Sequence, residues 1–337
     1  MPTAKTTRTI VVTGATGNQG GGVVRALLAS DKDWHIRALT RDVSSSRAKA
    51  LLDEYSRDAE AGRLSLVPGH VYDPSSLRSA FAGAYGVFAI TSEAYPGRVL
   101  VEEVEMAHEV EAGRNMVSAA KETGVEHFVF SSLPDMVKTT GGQFPGIHHM
   151  NNKHAVEKIA KEHLSGVTCL IPGFFYTNMR WPQYCQRRSD GMVRFCTAIP
   201  SKQVAQWTDP SYDMGSFAAK VFDLGVDKTT GKTYLVMSPL ITPDEMAETF
   251  TRLTGQPAAH DPISPEEFGE MTAPFVGPAF KSDAQQMMEW ASVTPADKTC
   301  FGAMDLHEKM NDSFEELGLK ASTFEDWLRR SGWKGPE

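Results

Sequence analysis

The chain has little to staple or anchor it. Four cysteines, Cys169, Cys185, Cys196 and Cys300, are spread over 337 residues. None form C-x-x-C, and no histidine lies at zinc-ligand spacing from them. This argues against a disulfide framework and a metal site, and for free thiols in a reducing compartment. No stretch approaches 18 consecutive apolar residues, so no membrane-spanning helix is expected. Residues 1–8 are polar and lack the apolar middle of a secretory leader, which makes the expected location cytoplasmic. Positive charge is in deficit: 34 lysines and arginines stand against 42 acids, a formal net charge of −8. That balance excludes a large basic footprint for nucleic acid. A regulatory role would then run through a protein partner. Internal repeats and low-complexity tracts are also missing. With 41% hydrophobic residues, the chain can bury a substantial core, as one large or two coupled domains.

What is present is a glycine turn at the start. Residues 13–20 read Thr13-Gly14-Ala15-Thr16-Gly17-Asn18-Gln19-Gly20, with glycines at G-x-x-G-x-x-G spacing. They follow the apolar run Thr9-Ile10-Val11-Val12 and open the periodic stretch Val23-Val24-Arg25-Ala26-Leu27-Leu28. The order is strand, turn, helix. Gly14 lets the chain turn out of the strand, Gly17 lets a pyrophosphate approach the backbone, and Gly20 lets the helix pack close. Phosphates would sit on the unpaired N–H groups of the helix N-terminus, at its positive dipole end.

The first half goes on alternating. Strands are expected at 35–40, 64–67, 86–91, 127–131 and 167–171, with helices between them, one over 112–123 ended by Gly124. Such alternation specifies an α/β fold, a Rossmann-type doubly wound parallel sheet. A further strand at 234–237 returns the chain to it. Two segments do not fit the sheet: the aromatic-rich 174–206 and the mostly helical 241–337. The division expected is a cofactor-binding domain of 1–172 plus 207–239, and a smaller, mostly helical substrate-binding part of 173–206 plus 240–337. Ser322-Thr323-Phe324-Glu325 is the expected capping box of a last helix.

The second strand ends Leu39-Thr40-Arg41. An acid there would accept from a ribose 2′-hydroxyl. Arg41 instead offers a planar guanidinium to a 2′-phosphate, and Asp42 falls one residue late. The expected cofactor is NADP(H) rather than NAD(H). Lys49 reads as a helix-surface lysine.

The string GATGNQG, with Asn18-Gln19 before its last glycine, resembles the NmrA-like group of atypical short-chain dehydrogenases. Pro172-Gly173-Phe174-Phe175-Tyr176-Thr177-Asn178 resembles that group's P-G-F-F-x-x-N loop. Thr242-Pro243-Asp244-Glu245-Met246 resembles the helix start of its C-terminal portion. The resemblance spans nearly the whole chain. It implies a cofactor site of Gly14, Thr16, Gly17, Asn18, Gln19, Gly20, Arg41, Thr91, Lys153, Pro172, Phe174 and Phe175, with Asp73 near the adenine. It also implies a reaction site at His149-Met150-Asn151-Asn152-Lys153, where short-chain dehydrogenases carry Y-x-x-x-K. Lys153 matches the lysine and His149 replaces the tyrosine. A histidine suits general acid–base work near neutral pH. Ser131, beside Ser132 at the end of the fifth strand, is the candidate hydroxyl for orienting a carbonyl.

Phe174, Phe175, Tyr176, Trp181, Tyr184, Phe195 and Trp207 crowd one stretch, and Met179, Met192, Met271, Met287 and Met288 offer adaptable lining. Tyr176, Asn178 and Trp181 are the expected substrate contacts in an apolar cleft. Three functions follow from the resemblance and these residues. One is an NADP(H)-dependent oxidoreductase acting on an apolar or aromatic metabolite. Another is an NADP(H) redox sensor controlling a protein partner. The third uses bound NADP(H) as a scaffold for non-redox chemistry such as a cyclisation. A monomer and a homodimer are equally compatible.

Overall fold

A computed structural model describes residues 7–295, 298 and 313–336; Cys300 lies outside them. In chain order the strands are β1 (Arg8–Val12), β2 (Trp34–Thr40), β3 (Leu64–Pro68), β4 (Gly86–Ala89), β5 (His127–Ser131) and β6 (Val167–Pro172). They continue with β7 (Phe174–Phe175), β8 (Cys185–Arg187), β9 (Val193–Phe195), β10 (Trp207–Thr208), β11 (Thr233–Val236) and β12 (Ala258–His260). Seven form one sheet in the order β11-β6-β5-β4-β1-β2-β3. Every pairing in it is parallel.

Side chains alternate across this sheet with the period of a strand. Ile10 and Val12 join one core layer, under the helices Asn18–Leu28 and Asp213–Leu224. Val11 joins the other, under Pro74–Phe81, His108–Glu122 and His148–His163. On β5, Phe128 and Phe130 face the second layer and Val129 the first. The first layer has a contact between glycines. A Cβ at Gly215 would lie 2.1 Å from the Gly22 carbonyl oxygen, so two helices meet there backbone to backbone.

Element ends moved for identifiable reasons. The strand expected over 86–91 stops at Ala89, because the Ile90 amide leaves the ladder and donates to Thr13 Oγ1 at 3.0 Å. The helix expected at 112 begins at His108, led in by a 3-10 turn over Glu103–Ala107. Gly124 follows it with φ +70°. The last helix, Phe324–Ser331, is capped by Thr323 with Asp326 rather than by Ser322 with Glu325. Ser322 is instead held by Asp213, through its amide and its hydroxyl.

The smaller part carries more β-structure than its sequence suggested. β8, β9 and β12 form a three-stranded sheet, and β7 pairs with β10. Around them pack the helices Pro243–Thr254, Pro265–Val276, Phe280–Val293 and Phe324–Ser331. Thr242 and Glu245 close a capping box on the first of these. The core of this part includes Phe195, Trp207, Phe250, Phe268 and Trp327. Leu317 and Ala321, inside the 240–337 segment, pack with the first sheet layer instead.

Candidate functional site

The sheet reverses its winding between β1 and β4, where strands lead away on opposite sides. Ligands bind at such a point, beyond the carboxyl ends of the strands. A cleft of about 1010 Å³ opens there. Residues following β1, β2, β4, β5 and β6 all contribute to its lining.

At one end is the glycine turn. Gly14 sits at φ +63°, a conformation that favours glycine. A Cβ at Gly20 would come 2.3 Å from the Gly14 carbonyl oxygen, so close packing requires that glycine. At Gly17 a Cβ would meet only the Gly14 oxygen, at 3.3 Å. Gly17 is the N-cap of the helix Asn18–Leu28, with no side-chain cap and no acid in the first turn. The N–H groups of that turn therefore face the cleft end without a capping acceptor. Thr16, Gly17, Asn18, Gln19 and Gly20 all line the cleft. These residues fit a dinucleotide pyrophosphate.

Arg41, Asp42, Ser45 and Arg47 line the lip beyond β2. Asp42 is committed to its own turn, accepting from the Ser44 amide at 2.8 Å and the Ser44 hydroxyl at 2.6 Å. Those bonds hold its carboxyl below the usual range. Arg41 and Arg47 make no ion pair among the described residues. Two free guanidiniums beside a carboxylate already in use suit an anion such as a 2′-phosphate. Arg47 was not among the expected residues. Lys49 is exposed on the helix Ser46–Glu54, and Asp73 caps the helix Pro74–Phe81 through the Ser75 and Ser76 amides. Neither lines the cleft.

At the other end lie the charged side chains. Lys153 is buried on the helix His148–His163. Its Nζ donates to Glu109 Oε1 at 2.6 Å and lies 3.5 Å from Glu93 Oε2. Thr91 Oγ1 also donates to Glu109 Oε1, at 2.6 Å. Burial works against the ammonium, but the two carboxylates outweigh it and the Lys153 pKa is raised. Glu109 Oε2 is buried with no hydrogen-bond partner among the described residues.

His149, one turn before Lys153, also lines the cleft. Its Nδ1 bonds Asp283 Oδ2, and its backbone amide donates to Asp283 Oδ1 at 2.8 Å. Burial opposes the charged ring; the Asp283 charge and hydrogen bond prevail, and the His149 pKa is raised. Asp283 comes from the helix Phe280–Val293, 134 residues away. Ser131 is less free than expected: its hydroxyl donates to Gln19 Oε1 at 2.8 Å, and Ser132 is bonded to Glu157. Ser131 still lines the cleft.

The remaining wall includes Leu133, Met150, Phe175, Asn178, Trp181 and Met287. Pro172, Phe174 and Tyr184 line it too. Burial pushes the Tyr184 phenol up to about 12, with Asn178 as its hydrogen-bonding neighbour. It stays protonated at neutral pH. Trp181 stacks at 6.4 Å on Phe275, at an exposed edge.

Tyr176 is corrected from a substrate contact to a core residue. It is fully buried, stacked between Trp207 at 5.8 Å and Trp327 at 5.7 Å, and its hydroxyl donates to the Ser322 carbonyl. Phe195, Trp207, Met179 and Met288 are likewise core. Aromatic density cannot separate lining from core, because both are apolar and only the fold decides which faces space. Glu93, Glu109, Tyr184 and Asp283 were not singled out as site polar groups. Glu109 and Asp283 carry no local signal, since each earns its place through a partner far along the chain.

Comparison with known proteins matches this architecture. The sequence profile of the NmrA-like family matches residues 6–328. An NmrA-like family domain-containing oxidoreductase, malD of Malbranchea aurantiaca, is 31% identical over 77% of this chain and 76% of its own. Among solved structures, the negative transcriptional regulator NmrA in complex with NADP superposes with a TM-score of 0.74 at 16% identity, over 96% of this chain and 95% of that one. The same regulator has been solved with NAD. Triphenylmethane reductase of Citrobacter sp., complexed with NADP(H), gives a TM-score of 0.68 at 21% identity, over 95% of this chain and 99% of that one. No described helix is long and apolar enough to cross a membrane. The chain belongs to the NmrA-like family.

Proposed function

We propose that this NmrA-like protein is an NADP(H)-dependent oxidoreductase whose substrate is an apolar or aromatic small molecule. One observation carries the reading: the cleft that holds the glycine turn and the two free arginines runs on to His149, Trp181 and Met287. A cofactor end and an apolar, titratable end share one space. A cavity of this size lies at the upper end of the range for small-ligand pockets, about 300–1,000 Å³.

Arg41 and Arg47 would hold the 2′-phosphate and so favour NADP(H) over NAD(H). The Asn18–Leu28 helix N-terminus would hold the pyrophosphate, and Lys153 would face the ribose on the nicotinamide side. A bound reduced nicotinamide supplies a hydride. The chain must then supply a proton. His149 is the group for this, as an imidazolium favoured by its surroundings. Trp181, Phe175 and Met287 would hold an apolar ring against the reacting carbon and exclude water.

Sensing remains a second reading, because NmrA, a fold neighbour of this chain, is described as a negative transcriptional regulator. It requires that the cofactor bind two states unequally. The two readings diverge in one experiment. NADPH is offered with a panel of quinones, enones, imines and aromatic aldehydes, with absorbance and product analysis in parallel. The oxidoreductase reading requires NADPH consumption with a reduced product. A new product without consumption means scaffold chemistry, and neither leaves sensing.

A further inference from the structure

His149 is not an isolated ring on a helix. Its two sides meet different surroundings. Nδ1 bonds the Asp283 carboxylate, which is 4% exposed at its side chain. The opposite nitrogen, Nε2, has no hydrogen-bond partner among the described residues, and His149 lines the cleft with its side chain 19% exposed. We infer that Asp283 is a positioning residue for the proton donor: it fixes the His149 ring with Nδ1–H directed at the carboxylate, leaving Nε2–H to serve the substrate. This rests on the oxidoreductase reading for its chemistry, but not for its geometry.

An ionised carboxylate only accepts hydrogen bonds. The Nδ1 that meets Asp283 must therefore carry the hydrogen, in the neutral ring as in the charged one. That leaves Nε2 as the nitrogen that gains and loses a proton. In a reduction, a bound reduced nicotinamide would supply the hydride to the electrophilic carbon of a C=X bond, whose π pair moves to X. The His149 Nε2–H bond breaks, an X–H bond forms, and the nitrogen keeps the electron pair. The ring is left neutral with Nδ1–H still on Asp283, and solvent restores the Nε2 proton.

Asp283 also has a structural duty. The helix His148–His163 has no side-chain cap at its own N-cap residue. Asp283 Oδ1 accepts the His149 amide instead. One carboxylate thus anchors both the helix start and the ring, and it does so from the smaller part of the molecule. The groups facing His149 are accounted for. Asp283 faces it from Phe280–Val293, Lys153 from its own helix, and Glu93 from the segment after β4. Lys153 opposes the charged ring while Asp283 and Glu93 favour it. His148 is occupied with Glu103 at 3.3 Å.

Asp283→Asn separates the two duties. Its amide oxygen still accepts the His149 amide, so the helix start is kept. Its NH2 group, in place of Oδ2, donates to Nδ1 and removes the charge. The test is a 15N-histidine NMR titration of the full chain, with His149 assigned by comparison with His149→Gln. In the wild type the neutral ring should be the Nδ1–H tautomer, titrating above an ordinary histidine. In Asp283→Asn the titration should move down in pH and the tautomer should switch to Nε2–H. An unchanged titration and tautomer would overturn the inference, whatever the enzyme does. With a substrate from the panel, the alkaline limb of the kcat profile should move down with the titration. At pH 8 the loss should be about tenfold or more, and Asp283→Glu should restore part of it. A titration that moves while the kcat profile stays fixed would reduce Asp283 to a helix cap and overturn the positioning role. If Asp283→Asn does not fold, Asp283→Glu carries the test. It keeps the charge and should keep the Nδ1–H tautomer; a switch there would refute the inference. A wild type that titrates as expected but turns over nothing counts against the oxidoreductase reading, and the NMR result still decides the geometry.

Discussion

The two ends of the cleft are built on different principles. The phosphate end is local and made mostly of backbone: eight consecutive residues, a helix N-terminus and two arginines on an exposed lip. Its charges stay in water, so it stores little energy when empty. The reaction end is non-local and made of buried charge. Lys153, Glu109, Glu93, His149 and Asp283 come from four separate segments; His149 pairs with Asp283, and Lys153 with the fully buried Glu109 and the half-exposed Glu93. Buried charges that have paired are costly to separate. Damage to the first end should therefore appear in binding, and damage to the second in stability as well as chemistry.

The largest effect expected is at Lys153. Lys153→Ala leaves Glu109, whose side chain is fully buried, with Thr91 as its remaining donor. Breaking a buried pair in this way costs about 3–5 kcal/mol. Thermal or urea unfolding should show it in the absence of any cofactor, and a loss under about 1 kcal/mol would break the contrast. Gly17→Val should do the reverse. Its Cβ meets only the Gly14 carbonyl oxygen, at 3.3 Å, which a shift of a few tenths of an ångström in the turn relieves, while the branched side chain stands where a pyrophosphate must approach. NADP(H) affinity should fall more than a hundredfold, by at least about 2.7 kcal/mol, with native circular dichroism and little change in melting. Normal binding by that variant would make the turn merely structural.

Arg41→Ala comes next. A charge-assisted phosphate contact contributes about 1.5–3 kcal/mol, so NADP(H) should weaken by roughly ten- to a hundredfold. NAD(H) affinity should hardly move, and calorimetry on both cofactors checks this. Equal losses would point away from the 2′-phosphate. The smallest effect is a pH dependence of stability. A histidine whose folded pKa is raised contributes stability fully present below the unfolded value of about 6.5, and loses it as pH rises through the folded value. The raised pKa of His149 should thus give the wild type a component of melting temperature that declines above pH 6.5. His149→Phe should lack that component; an identical slope in both proteins would deny the Asp283 pairing.

The same contrast explains what was legible in the sequence. The glycine turn could be read because its residues are adjacent and each has one mechanical duty. The sheet could be read because apolar runs alternate with helical periodicity, and only its ends shifted, as at Ile90, where Thr13 takes the amide out of the ladder. Lys153 and His149 were legible through the resemblance to Y-x-x-x-K, a pattern whose i, i+4 spacing puts both residues on one helix face. Asp283 was not, because it sits in an unremarkable helical stretch and acquires meaning only through tertiary packing against His149. Tyr176 was misread for the converse reason. It belongs to a recognisable loop, yet its ring is locked between Trp207 and Trp327, and Tyr184 a few residues on lines the cleft.

The central claim is that the two ends work on one substrate: cofactor held at the glycine turn, proton given at His149. The most direct test compares wild type and His149→Phe, measuring NADPH affinity and NADPH consumption with the substrate panel side by side. The prediction is consumption with a reduced product in the wild type, and its loss in the variant with NADPH affinity within about twofold, well under the 1.4 kcal/mol of a tenfold change. Turnover undiminished in His149→Phe would contradict the account of the proton and direct attention to Tyr184. Tight NADPH binding with no consumption and no product from the wild type would contradict the claim that the second end does chemistry.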